Sequence, residues 1–334
     1  MWPGTLQQCN PLPPLDILAP RCDSVSVVTE KYERLRGLLR SYGSCLVAYS
    51  GGVDSAFLAC VAHEVLGDKA LAAIADSPSL PRREFEQAMS LARQFGFSVR
   101  VLRTREFDNA SYLANPENRC YFCKHELFTE LAPLAKVEGV AVLAYGENAS
   151  DIGDFRPGAR AAEEFQVRAP LKEAGLTKAD IRTLSARLGL PTADKPQMAC
   201  LSSRVPYGEP VAPQKLNMIE LAENVLRDLG FYDVRVRHHE LRTAQCGTRS
   251  GVPVVPTGDS ALRNPQSAIH FARIEVGPSE IRKLLENGLS LKVAEALKRI
   301  GYVHVTLDLQ GYRRGSVNEV LPSADSRQPG PHSS

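Results

Sequence analysis

Val47-Ala48-Tyr49-Ser50-Gly51-Gly52-Val53-Asp54-Ser55 decides how this chain is read. Cys45–Tyr49 is an apolar, strand-sized run, and an apolar helical run follows from Ala56 to Leu66, closed by Gly67. Strand, glycine turn and helix is a geometry that binds phosphate. The glycines let backbone approach an anion without a Cβ, and the free N–H groups and dipole of the helix point at it. The Lys-Ser/Thr ending of a Walker A loop is absent. The plain alternative is a tight strand–helix turn with no ligand.

Outward from this loop the pattern alternates. A helix precedes it, with Leu35, Leu38, Leu39 and Tyr42 on one face. Strands are predicted at Ala70–Ala75, Ser98–Leu102 and Val140–Tyr145, and helices at Arg82–Phe95 and around His125–Ala135. Such alternation predicts an α/β, doubly wound parallel sheet covered on both faces. Thr177 is expected to cap a helix carrying Ile181, Leu184 and Leu188. A smaller α+β unit follows: a helix through Leu216, Ile219, Ala222, Leu226 and Leu229, a strand at Asp233–His239, a strand at Phe271–Val276, helices at Ser279–Glu286 and Leu291–Ile300, and a strand at Tyr302–Leu309. The expected boundaries are a flexible tail at 1–24, a nucleotide domain at 25–204, a second domain at 205–315 with a long loop at 240–268, and a flexible tail at 316–334.

The chain has 334 residues, enough for about two domains. Hydrophobic residues are 43% and charged residues 23%, which excludes a disordered or fibrous chain. Forty Lys+Arg against 38 Asp+Glu leave a net charge of +2, which disfavours long nucleic acid as a partner. No apolar run reaches the ~20 residues that span a bilayer. The Pro-rich first 20 residues lack the basic and apolar regions of a leader. A cytoplasmic location is therefore expected, with no membrane partner. The eight cysteines should then stay reduced unless chemistry uses them. Cys45 and Cys60 sit in apolar runs and read as small buried hydrophobes.

Ser-Gly-Gly-x-Asp-Ser resembles the pyrophosphate loop of adenylating enzymes, which split ATP between its α and β phosphates. On that resemblance Ser50, Gly51, Gly52 and Ser55 hold pyrophosphate. Asp54 is a candidate for Mg²⁺, which prefers carboxylate and phosphate oxygens. Asp76, after the second strand, lies at the carboxyl edge where such folds bind nucleotide; an ordinary strand-end Asp is the alternative. Cys120-Tyr121-Phe122-Cys123 is a lone Cys-x-x-Cys, with no second pair to complete a four-cysteine zinc site. His125 is expected on the helix beginning there. Cys200 lies after a Pro-containing turn. Three thiolates can hold a 4Fe–4S cluster and leave one iron open to sulfide; three unrelated thiols is the alternative.

Further blocks in order carry a closer resemblance. They are Gly146-Glu147-Asn148-Ala149-Ser150-Asp151 through Asp154 and Arg156-Pro157-Gly158, Cys200-Leu201-Ser202-Ser203-Arg204, Val234-Arg235-Val236-Arg237-His238, Ala272-Arg273-Ile274-Glu275, and Tyr302 to Leu309. From about 30 to 315 the chain resembles the LarE sulfur transferases, which act in assembly of the nickel-pincer cofactor of lactate racemase. The resemblance implies an ATP-dependent enzyme. It adenylates a carboxylate of a pyridinium dicarboxylate mononucleotide, converts it to a thiocarboxylate, and releases AMP and pyrophosphate. It implies ATP, Mg²⁺ and the small mononucleotide as ligands, and a homo-oligomer.

One form of the family sacrifices the sulfur of a single cysteine, here Cys200. The other adds a Cys-x-x-Cys, here Cys120 and Cys123, and is thought to relay sulfide from a 4Fe–4S cluster. Its sulfide source is not implied. Gly146 is a further ATP-site residue, and Asp151 and Asp154 are candidates for metal or ATP. Arg156 and Arg204 are candidates for the triphosphate, and Glu223 for orienting substrate with Cys200 and Asp54. Arg235 and Arg237, on one strand face, are the expected phosphate clamp; the alternative is a solvated face paired with acids such as Glu275. The 240–268 stretch is longer than the family's connection, and Cys246 within it reads as incidental. A tRNA thiolase of the pyrophosphate-loop type and an amide-forming ligase of the NAD-synthetase kind are the competing readings.

Overall fold

The structure, a computed structural model, describes residues 23–152, 156–196, 199–241, 269–313 and residue 316. The chain divides into two compact units, one ending at Cys200 and the other starting at Leu201. The tails and the long loop named above lie outside the described residues, except where ordered elements run into them. Helix α1 (Asp23–Tyr42) starts within the expected N-terminal tail, and the 240–268 stretch begins as strand at Glu240 and Leu241. Cys9, Cys22, Cys246 and Asp154 are outside as well.

In the first unit, α1 is followed by β1 (Cys45–Ala48), α2 (Val53–Leu66), β2 (Ala70–Asp76), α3 (Arg82–Phe95), β3 (Ser98–Arg103), the short α4 (Ala110–Leu113), α5 (Arg119–Val137) and β4 (Val142–Tyr145). Then come α6 (Pro157–Glu164), α7 (Pro170–Glu173) and α8 (Lys178–Arg187). The sheet is parallel, in the order β3-β2-β1-β4. The chain steps from β1 to β2 to β3 through α2 and α3, then returns across β1 to β4 through α5. Right-handed crossovers in opposite directions put the helices on opposite faces. Accordingly Val47, Ala72 and Ile74 pack with α1, α2, α3 and α8, while Leu46, Leu71 and Ala73 pack with α5 and α6. The doubly wound sheet expected from the alternation is what the chain forms. The strand order reverses between β1 and β4, and that is where folds of this kind open a crevice at the carboxyl ends. The edge strand β3 is largely exposed, Val101 included.

Helix α2 is buried along most of its length, from Val53 through Ala62. Its apolar-all-round composition is that of a helix enclosed on every side. Thr177 caps α8 with Asp180 in a reciprocal box, and Ile181 and Leu184 are buried, as expected. One boundary differs. Helix α5 begins at Arg119, six residues before His125, because Arg119 is itself buried and donates to Asn115. Cys120 and Cys123 therefore lie within the helix, three residues apart on one face.

The second unit has α9 (Pro213–Asp228), β5 (Val234–Leu241), β6 (Ile269–Val276), α10 (Ile281–Leu285), α11 (Leu289–Ile300) and β7 (His304–Leu307). β5 pairs antiparallel with β6, which pairs parallel with β7. Ala222, Leu226, Val234, Val236, Ile274, Val293, Leu297 and Tyr302 form its core. The alternative reading of the β5 arginine face, a solvated one, does not hold, since Arg235 and Arg237 are both buried. The Ser203 carbonyl and the Glu275 carboxylate take Arg237, and the Tyr312 ring lies against Arg235.

No helix among the described residues is long and apolar enough to cross a membrane.

Candidate active site

The turn after β1 is held by its own hydroxyls. Ser55 Oγ accepts from the Ser50 backbone N–H at 3.1 Å, lies 3.0 Å from Ser50 Oγ, and donates to the Gly52 carbonyl at 3.2 Å. Gly51 has φ +71°, and a Cβ there would meet the Ala88 Cβ at 2.6 Å. Glycine is thus required twice, by backbone conformation and by the approach of α3. Gly52 is the N-cap of α2 with no side-chain cap, so the helix's first N–H groups remain for a ligand. Gly146, after β4, lets that strand end close on the same helix start: a Cβ there would stand 2.9 Å from the Ser55 backbone nitrogen.

A cavity of about 280 Å³ opens at this switch point, lined by Ser50, Gly52, Asp54, Ser55, Gly146 and Glu147 with the cations Lys124, Arg156 and Lys178. Lys178 Nζ donates to both Asp54 oxygens, at 2.9 and 2.7 Å. Arg156 is paired with Asp151, which caps its own turn from Asn148. Burial pushes the Asp151 carboxyl up, and the negative Asp54 and Glu147 add to that against Arg156. Burial also pulls the Lys124 ammonium down, with Arg156 adding to it, while Glu147 opposes. Lys124 stands 4.3 Å over the Tyr145 ring. Three cations around a helix N-terminus suit a polyphosphate.

A second cavity of about 220 Å³ shares Tyr49, Ser50, Gly52 and Leu127 with the first, so the phosphate loop forms a wall of both. Its other walls include Ile74, Ser77, Glu84, Glu106, Cys123 and Cys200. Cys123 and Cys200 thus open onto one chamber beside the loop. Burial pushes the Cys123 thiol up, with the Cys200 sulfur the next cause. Cys120 is exposed and lines neither cavity. Cysteine sulfurs are the donors that hold iron–sulfur clusters, and Cys123 and Cys200 share one chamber, so in donor type this set suits such a group.

Not every expected site residue is brought to these cavities. Asp76 is turned to Arg82 and lines neither, and Asp151 reaches the first through Arg156. In the second unit, Glu223 is fully buried. It accepts from Arg204 at 2.8 and 3.2 Å, from Arg227 at 2.7 Å and from the Val236 N–H at 3.2 Å. Burial alone would raise its carboxyl, but Arg204, Arg227 and Arg235 outweigh it and hold it at about 2. Arg204 is a core ion-pair residue, fully buried against Glu223. Arg237 grips Glu275 with two nitrogens, at 3.0 and 2.9 Å, and donates to the Ser203 carbonyl at 2.8 Å. Arg235 lies 4.8 Å over the Tyr312 ring and donates to the Val234 carbonyl at 2.7 Å. Burial pulls its guanidinium down to about 10, the nearby Arg204 charge adding to this. The pairing with Glu275 that the alternative reading offered is found at Arg237.

Sequence reasoning missed Lys178, Lys124, Glu147 and Lys195. Lys195 pairs with Glu84 and donates to the Gly51 carbonyl at 3.3 Å, so it braces the loop from behind. Lys124, Glu147 and Lys178 each sit one residue after a feature already read, Cys123, Gly146 and the Thr177 cap, whereas Lys195 carried no signal.

A glycine turn opening helix α2 at the switch point of a parallel sheet defines a nucleotide-binding domain of the NAD synthase type. Residues 27–124 match the NAD synthase family model. A GMP synthase from Staphylococcus carnosus is 25% identical over 217 residues, 55% of this chain and 39% of that enzyme. Over nearly the full length, the chain is 39% identical to an uncharacterized Synechocystis protein, slr1717, across 88% of this chain and 99% of that one. It is 31% identical to the pyridinium-3,5-bisthiocarboxylic acid mononucleotide synthase of Lactiplantibacillus plantarum, across 90% of this chain and 98% of the synthase. The chain belongs to the LarE family.

Proposed function

We propose that this chain is an ATP-dependent sulfur transferase that turns a carboxylate of a pyridinium dicarboxylate mononucleotide into a thiocarboxylate, toward a nickel-pincer cofactor. The observation carrying this reading is the phosphate loop that walls two cavities, one lined by cations and one by Cys123 and Cys200. The substrate carboxylate oxygen attacks the α-phosphorus of ATP, and the bond to the β-phosphate breaks. Pyrophosphate leaves and an acyl-adenylate forms. Sulfide then attacks the acyl carbon. A C–S bond forms as the C–O bond to AMP breaks, and AMP leaves with its electron pair.

The chain's own groups set this up. The α2 N-terminus, Ser50 and Ser55 bind the leaving pyrophosphate, and Lys178, Lys124 and Arg156 neutralise its charge. Asp54, which now accepts from Lys178, would hold Mg²⁺, an ion that prefers carboxylate and phosphate oxygens. The second unit's Arg235 and Arg237 take the substrate phosphate, Arg237 sharing its fork with Glu275. Glu223 positions them by anchoring Arg204 and the β5 backbone. Cys120, Cys123 and Cys200 would hold a 4Fe–4S cluster, which when bound would supply replaceable sulfide.

The test is anaerobic purification with iron and sulfide assays, then mass spectrometry of the polypeptide after turnover. Iron retained by the protein, and an intact chain making several thiocarboxylates each with added sulfide, are expected. Dehydroalanine at Cys200 in step with product would overturn the cluster route and leave Cys200 as sacrificial donor. ATP cleavage that needs no mononucleotide would overturn the whole reading.

A further inference from the structure

We propose a second metal site, in the second unit, in which His238, Glu240 and His270 bind a borderline divalent cation such as Zn²⁺ across the β5–β6 ladder. His238 and Glu240 are two residues apart on β5 and so share a face. His270 lies directly opposite Glu240 in the register. One ligand atom from each residue lies within 4.8 Å of the others. The His270 Nδ1 is 3.9 Å from Glu240 Oε1, and the two imidazole rings are 5.0 Å apart.

Two of these atoms lack the partners that buried polar atoms find. His238 Nε2 and His270 Nδ1 are both buried and accept or donate no hydrogen bond. His238 is 0% exposed, so its orphaned nitrogen is closed off from bulk solvent. A buried ring nitrogen left without a partner is destabilising because its lost hydration is not replaced, and a metal ion would replace it. The other nitrogen of the same ring, Nδ1, stands 3.2 Å from the Tyr302 hydroxyl, which fixes the ring's orientation as outer groups do in metal sites. Lys215 Nζ is 3.1 Å from Glu240 Oε2 and leaves Oε1 facing His270.

Two imidazoles and one carboxylate suit zinc, copper, iron or nickel and not Mg²⁺. Ligands of a tetrahedral zinc stand roughly 3.3 Å apart. The set closes to that from 4.8 Å by side-chain rotation of Glu240 and His270, both only partly buried. Three protein ligands leave one position open. The ion would tie β5 to β6, so binding stabilises the second unit. The site shares no residue with the cysteine set or the phosphate loop.

The experiment uses the full chain carrying Cys120→Ala, Cys123→Ala and Cys200→Ala, which removes that thiol set as a competing ligand. After dialysis against chelator it is titrated with Zn²⁺ by calorimetry, with Co²⁺ by absorption spectroscopy, and with Mg²⁺ as control. One equivalent of Zn²⁺, a raised unfolding temperature, and Co²⁺ absorption without the intense thiolate charge-transfer band are expected. Adding His270→Gln or Glu240→Gln, at partly buried positions, should weaken Zn²⁺ on the order of 100-fold. It should also abolish the thermal shift while the metal-free unfolding temperature stays within a few degrees. Unchanged Zn²⁺ affinity in both variants, thiolate-type Co²⁺ absorption, or no binding in the parent would overturn the site and leave a plain histidine pair.

Discussion

Glu223→Gln keeps the shape of a fully buried side chain and removes its charge. In the native unit that charge sits against Arg204 at 2.8 Å and Arg227 at 2.7 Å, and it also faces Arg235. Two routes give the magnitude. The carboxyl is held at about 2 against an ordinary 4.5; at ~1.4 kcal/mol per unit this is about 3 kcal/mol. Removing one partner of a buried ion pair costs about 3–5 kcal/mol, because the other charge is left uncompensated. Both place the loss at pH 7 near 3 kcal/mol or above. Because the folded value lies below the unfolded one, this stabilisation is complete above about pH 4.5 and drains away as pH falls toward 2. Urea unfolding of wild type and Glu223→Gln, followed from pH 7 down to pH 3, isolates the term. The gap between the two should be widest at neutral pH and narrow as the solution is acidified. Replacing Arg204 by Met as well should recover part of the loss, since the buried pair then goes as a unit. A loss under about 1 kcal/mol at pH 7, or a gap that does not narrow in acid, would refute the claim that Glu223 is the counter-charge on which this cluster of arginines rests.

Asp54→Asn should abolish substrate-dependent pyrophosphate release while the unfolding midpoint stays within about 1 kcal/mol, since a partly exposed pair contributes little; unchanged release would remove Asp54 from the metal role. Gly51→Ala forces a Cβ into a φ of +71° and to 2.6 Å from Ala88, so ATP binding by calorimetry should be lost together with at least about 1 kcal/mol of stability. Arg235→Ala should weaken mononucleotide binding by about 1.5–3 kcal/mol with ATP affinity unchanged; a loss of ATP affinity instead would assign it to the nucleotide. Arg237→Ala should weaken mononucleotide binding and also destabilise, because it leaves buried Glu275 with Arg273 as its one remaining arginine among the described residues, and denaturant midpoints separate the two arginines on this point.

The parts legible in the sequence are those governed by local sterics and short periodicity. The Gly51-Gly52 turn, the Arg82–Phe95 helix and the Thr177 cap follow from backbone freedom, apolar spacing and side-chain hydrogen bonding within four residues. Alternating apolar strands and amphipathic helices were enough for a parallel sheet, because the right-handed crossover leaves few alternatives. The tertiary structure decided how charges are partnered, since partners come from distant parts of the chain. Lys178 reaches Asp54 across 124 positions, and Arg237 reaches Glu275 across 38. No local rule foretells that. It also decided that the β5 arginines are buried, because period-two alternation shows which residues share a face and is silent on what covers it. The placement of Cys123 and Cys200 against one chamber beside the phosphate loop, and of His238, Glu240 and His270 on one ladder face, has the same origin: only folding brings together residues that the chain keeps far apart.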